Sequence, residues 1–252
     1  MPPTPLDVRF RLFRFPVRVS LFFWLAMALL GQHTFAAGAA VGLIWVACGF
    51  LSILVHELGH GFAFRRYGTP ASIELMAFGG VAIPSYPLAS ATRRLLVAAA
   101  GPAAGFLLVG LVYGSNALAD WESTAREAKF AYSFLILVGL AWNLFNLLPV
   151  WPLDGGRILR ELLVLAGRRR PDRTAFLVSM LLAGALGVYG LLLTLRLAGV
   201  QEFVPWWLTP GPMGTLFMLV LAVQSYWLYR QQSAGPRLYV DDDGPWHRRA
   251  QR

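Results

Sequence analysis

The stretch His56-Glu57-Leu58-Gly59-His60 concentrates two imidazoles and a carboxylate in five residues. On a helix, positions four apart share a face, so both imidazoles can meet one ion. Neutral imidazole suits zinc, and a catalytic zinc keeps three protein ligands and one open position for water. Glu57 adjoins His56 and can reach such a water, whose pKa the metal lowers to about 7. The pattern therefore predicts metal-assisted hydrolysis with Glu57 as the base. The alternative is a buried His–Glu pair tying helices together, but ionisable groups inside an apolar helix are costly and usually functional.

A third ligand is needed. His33 and His247 fall near the far end of an apolar run and in a polar tail. Asp120, Glu122, Glu127 and Glu202 fall on the opposite side of the bilayer in the topology set out below. Asp154 does not, and it closes the run Asn143-Leu-Phe-Asn146-Leu-Leu-Pro149-Val-Trp-Pro152-Leu-Asp154-Gly155-Gly156. Pro149 and Pro152 each remove a backbone donor and break the helix, and Gly155 and Gly156 allow backbone shapes that other residues avoid. A bent segment can then turn Asp154 toward a metal. The alternative is a plain helix exit with a capping aspartate. The expected centre is one zinc per chain on His56, His60 and Asp154.

The elements that must hold these groups read as membrane helices. Of 252 residues, 57% are hydrophobic and only 14% are charged, far fewer charges than a soluble domain carries. The reading is an all-α polytopic membrane protein with about six spans near 17–37, 39–64, 93–117, 129–151, 174–197 and 213–230. Nineteen of the 22 cations fall on one side of these spans, and only Arg126, Lys129 and Arg196 on the other. That bias predicts cytoplasmic N- and C-termini in a multi-pass protein of the plasma membrane. It also accounts for the net charge of +9 without a nucleic-acid partner. The first span has a second reading as a cleavable signal peptide, with Arg9 to Arg18 before it and Thr34-Phe35-Ala36-Ala37 after it. The lone Cys48 excludes an intrachain disulfide and a thiolate cluster.

Residues 71–87 are rich in strand formers around Gly79-Gly80, which predicts a short hairpin or paired edge strands on the cytoplasmic side, after the second span. Residues 157–166 place Arg157, Arg160 and Glu161 on one helical face and leucines on the other, as in an interfacial helix. The expected organisation is an N-terminal segment with the first span (1–38), a catalytic membrane core (39–166), two accessory spans (167–232) and a polar tail (233–252).

H-E-L-G-H in one span followed by N-L-L-P-x-x-P-L-D-G-G in a later one resembles the site-2 protease family of intramembrane zinc metalloproteases. The resemblance implies a three-helix catalytic core and hydrolysis of transmembrane protein substrates in the bilayer. Carried over by motif, His56, His60 and Asp154 are the zinc ligands, Glu57 is the base, and Asn146 steadies substrate or transition state. Gly101-Pro102-Ala103-Ala104-Gly105 resembles the family's G-P-x-x-N, with Gly105 where asparagine is usual. Phe78-Gly79-Gly80-Val81 resembles its membrane-associated strands, which makes Gly79 and Gly80 candidate substrate-binding positions. The chain reads as a minimal form without PDZ or CBS domain.

Two readings from other classes compete. A transporter also uses polar residues and broken helices, but it predicts internal repeats, and the two halves show none. A metal-binding scaffold without protease activity predicts a lost base or ligand, yet Glu57, His56, His60 and Asp154 are all present.

Overall fold

The computed structural model describes residues 4–77, 79–119, 121, 125–195 and 211–234. Phe78, Asp120, Glu122, Arg196, Glu202 and the expected tail from 235 onward, His247 included, lie outside the described residues. The chain forms two units, one of residues 1–88 and 96–147, the other of residues 89–95 and 148–252.

The first unit opens with a sheet. Strands β1 (Val8–Leu12) and β2 (Phe15–Val19) form an antiparallel hairpin. Phe13 and Arg14 turn it with positive φ angles of 47° and 69°, the backbone that a two-residue hairpin loop demands. Helices α1 (Leu21–Leu30), α2 (Gln32–Ala36) and α3 (Ala39–Arg66) follow. Strand β3 (Ala71–Met76) then lies parallel to β2, pairing Val17 with Ile73, and β4 (Gly79–Pro84) lies antiparallel to β3. The order β1-β2-β3-β4 leaves β4 at an edge. Side chains alternate across a strand. Phe15, Val17, Val19, Ile73 and Leu75 accordingly share one buried face, packed against Ile53, Leu54 and Leu58 of α3.

The first expected span is therefore not one helix. Its start is strand β2, held to β3 where Ser20 N–H donates to the Leu75 carbonyl at 2.9 Å. The Ser20 hydroxyl then caps α1 by accepting from Phe22 N–H. Ten residues of α1 rise only about 15 Å, half a bilayer core. Strands β3 and β4 fall within 71–87 and pair antiparallel as part of a four-stranded sheet. The chain is thus mostly helical with a small sheet, and not all-α.

Helices α4 (Ala91–Ala119) and α5 (Arg126–Asn146) complete the unit. Small residues let the helices meet closely, as in membranes generally: a Cβ at Gly59 of α3 would lie 2.7 Å from the Ala104 Cβ of α4. Four helices among the described residues, α3, α4, α5 and Pro171–Thr194, are long and apolar enough to cross a membrane. The chain is an integral membrane protein.

The second unit holds α6 (Asp154–Leu165), α7 (Pro171–Thr194) and α8 (Pro212–Ala234). Helix α8 covers the last expected span but is not among the four apolar enough to cross. It lies along α7, where a Cβ at Gly187 would come within 2.7 Å of Leu219 Cδ2. The face of α6 expected to be polar and exposed is covered at Glu161, which is 4% exposed and pairs with Arg94 at 3.0 Å and with Arg160.

Candidate metal centre

Helix α3 runs unbroken through His56, Glu57 and His60, and all three are buried. The histidine rings face each other with their Nε2 atoms 3.2 Å apart. The other nitrogen of each ring reveals the tautomer. His60 Nδ1 lies 2.7 Å from the carbonyl oxygen of Val97 on α4, which can only accept, so Nδ1 carries the proton. His56 Nδ1 lies 2.8 Å from Asn143 Oδ1 on α5. Asn143 Nδ2 donates to the Gly139 carbonyl at 2.6 Å, which leaves Oδ1 as the acceptor facing His56. Each ring thus turns its Nε2 toward the other, and the two converge on one point.

Two imidazole nitrogens converging on one point suit a shared cation. Zinc bonds nitrogen at about 2.0–2.1 Å with tetrahedral angles, which sets two nitrogens about 3.3 Å apart. The observed 3.2 Å fits. Ring N–H groups donated to a carbonyl or amide oxygen are the usual outer support of zinc-binding histidines.

Glycines make the room. A Cβ at Gly101 would stand 2.7 Å from the His60 Cδ2, so the first residue of the G-P pair must be glycine for His60 to occupy its place. A Cβ at Gly80 of β4 would stand 2.7 Å from the Glu57 Oε1. The carboxylate therefore lies against the edge strand. Gly79, with φ 126°, leaves space for the Trp142 ring of α5. Asn146, 8% exposed, ends α5 and donates through Nδ2 to the Trp142 carbonyl of its own helix at 2.9 Å.

Asp154 belongs to the second unit. Helix α5 stops at Asn146 and α6 starts at Asp154, so the segment with Pro149 and Pro152 is non-helical, as two missing backbone donors require. The Trp151–Pro152 bond is cis. Trp151 N–H donates to Ser179 Oγ at 2.9 Å, and a Cβ at Gly156 would meet the Trp151 nitrogen at 2.6 Å. These contacts hold Asp154 buried at the first turn of α6, at 5% exposure, with Arg157 4.0 Å away.

The structure brings His56, Glu57, His60, Gly80 and Gly101 together in the first unit. Sequence reasoning missed Asn143 and the Val97 carbonyl. An asparagine in an apolar helix, one turn before Asn146, was the available signal for the first; a backbone carbonyl gives none.

A sheet-bearing membrane protein with an H-E-x-x-H pair poised for metal defines the class of membrane metallopeptidases. The model of peptidase family M50 matches residues 45–122 and 110–188, and the chain belongs to that family. Rip3 of Mycobacterium tuberculosis, assigned by name to the zinc metalloproteases, is 35% identical over 178 residues, 69% of this chain and 42% of that protein. Zinc metalloprotease MJ0392 of Methanocaldococcus jannaschii is 32% identical over 115 residues, 45% of this chain and 32% of that protein. The chain thus spans less than half the length of these curated relatives. The solved site-2 protease from Methanocaldococcus jannaschii shares the fold, with a TM-score of 0.57 at 20% identity over 92% of this chain and 97% of that one.

Proposed function

We propose that the protein is a zinc-dependent intramembrane endopeptidase that hydrolyses transmembrane substrate proteins near the cytoplasmic side of the membrane. The observation that carries this reading is the convergence of the His56 and His60 Nε2 atoms, 3.2 Å apart, beside a buried Glu57. Asp154, a buried carboxylate in the motif that the resemblance implies, completes the ligand set. Zinc, when bound, supplies a Lewis acid that acidifies water and polarises a carbonyl.

Glu57 takes a proton from the attacking water as its oxygen bonds to the substrate carbonyl carbon. The carboxyl then returns that proton to the amide nitrogen as the C–N bond breaks. Asn146, at the end of α5, steadies the substrate backbone. A transmembrane helix hides its peptide bonds in internal hydrogen bonds and must unwind before attack. The edge of β4, with Gly79 and Gly80, offers an unwound segment a strand to pair with, and Glu57 lies against that strand.

The arginine bias supports cytoplasmic N- and C-termini. Helix α3 carries His56 and His60 before Arg65 and Arg66, by about one and a half to three turns, or about 8–15 Å along the axis at 1.5 Å per residue. With those arginines at the headgroups, the chemistry sits below the cytoplasmic surface. Mass-spectrometric mapping of the cut in a reconstituted transmembrane substrate tests the reading. A cut in the cytoplasmic half of the span is expected; a cut consistently in the outer half contradicts it.

A further inference from the structure

We propose that Asn143 is the positioning residue for His56, seated in a space that exists because residue 105 has no side chain. The inference rests on the zinc reading above and adds to it the group that orients one ligand.

Asn143 is 0% exposed in the last turn of α5. Its amide can stand only one way round. Flipping it would set its oxygen against the Gly139 carbonyl oxygen, where Nδ2 now donates at 2.6 Å. Oδ1 is therefore committed to accepting from His56 Nδ1 at 2.8 Å. That bond fixes the His56 tautomer and ring plane, and with them the direction of the Nε2 lone pair. His60 receives equivalent support from the Val97 carbonyl, so the two rings are held by different devices, one side chain and one backbone group.

The second observation is independent. A Cβ built on Gly105 of α4 would overlap the Oδ1, Nδ2 and Cγ atoms of Asn143. Position 105 is where the resembled G-P-x-x-N motif carries asparagine. Any side chain there excludes the observed Asn143, so this chain brings its carboxamide to the space from α5, while α4 supplies the vacancy. The role assigned here makes zinc affinity depend on both positions.

The test measures zinc affinity of the full-length membrane protein by competition with a chelator, together with the visible spectrum of the cobalt-loaded protein. Asn143→Leu keeps the branched shape and removes the acceptor; Gly105→Ala leaves Asn143 in the sequence and displaces its amide. Each should weaken zinc binding about 10–100-fold, the usual effect of losing a histidine's outer partner, and shift the cobalt bands. Thermal unfolding of the zinc-free protein separates the alternative, since a purely structural role lowers that midpoint and leaves affinity unchanged. Should Asn143→Leu fail to fold, Gly105→Ala decides alone. Wild-type zinc affinity and an unshifted cobalt spectrum in the folded variants overturn the proposal. His56→Ala, measured alongside, must lose zinc; if it binds as wild type does, the zinc reading itself has failed.

Discussion

Gly80 and Glu57 face each other so closely that a Cβ at position 80 would lie 2.7 Å from Oε1 and 2.8 Å from Cδ of the glutamate. The strand edge and the base thus form one surface, and a residue on β4 can disturb chemistry carried by α3. Gly80→Ala is expected to push the carboxylate aside and slow proteolysis toward the level of a missing general base, about 10²–10⁴-fold, while zinc content stays at wild type. Activity within a few-fold of wild type would show that the contact is immaterial.

The ligand set makes a prediction about metal. His56→Ala and His60→Ala each remove one of the two converging Nε2 atoms, and Asp154→Ala removes the buried carboxylate. Zinc measured by elemental analysis should fall in all three, and proteolysis with it. Full occupancy in the His56→Ala, His60→Ala double variant would rule the site out.

Docking on β4 predicts an alternation. β4 pairs with β3 on one side only, so its N–H groups point in turn toward β3 and away from the sheet. Proline placed successively at Val81, Ala82 and Ile83 removes one N–H at a time. The outward positions should slow cleavage with zinc and thermal stability retained, whereas the inward ones should destabilise the sheet. Helix-breaking residues in the substrate should speed cleavage. Cleavage untouched at every position would exclude this edge.

The helix bearing Asp154 carries its own charge cluster. Glu161 is 4% exposed and holds Arg94 at 3.0 Å as well as Arg160, which also pairs with Asp172. Breaking a fully buried pair costs about 3–5 kcal/mol. The arginine side chains here are 30% and 23% exposed, so about 1–3 kcal/mol is expected, after discounting for solvent screening. Glu161→Ala should lower the unfolding midpoint in detergent; an unchanged midpoint would mean the cluster is idle.

The metal-binding helix was legible because H-E-x-x-H is local: residues four apart on one helix meet whatever surrounds them. The helix break before Asp154 was legible for the same reason, since Pro149 and Pro152 act on their own backbone. The N-terminal hairpin was missed. Phe10 and Leu12, and beyond the turn Phe15, Val17 and Val19, recur at every second position, with Arg9, Arg11 and Arg18 between or beside them, a period of two that marks a strand. The charges drew a reading as the flank of a membrane span instead. What makes this segment a sheet is the pairing of Val17 with Ile73, and no local pattern encodes a partner that distant. The link between Gly105 and Asn143 was hidden likewise. It depends on where α4 and α5 cross, and in the sequence it shows only as a missing asparagine and an unexplained one.

The central claim is that Glu57 performs the proton transfer at a zinc it does not hold. The direct measurement is zinc content and turnover of a reconstituted transmembrane substrate, made on the same purified samples of wild type and Glu57→Gln. The account predicts one zinc per chain in both and a rate at least about 10²-fold lower in the variant, because an amide cannot accept the proton. Zinc-loaded Glu57→Gln protein cleaving at the wild-type rate would contradict it.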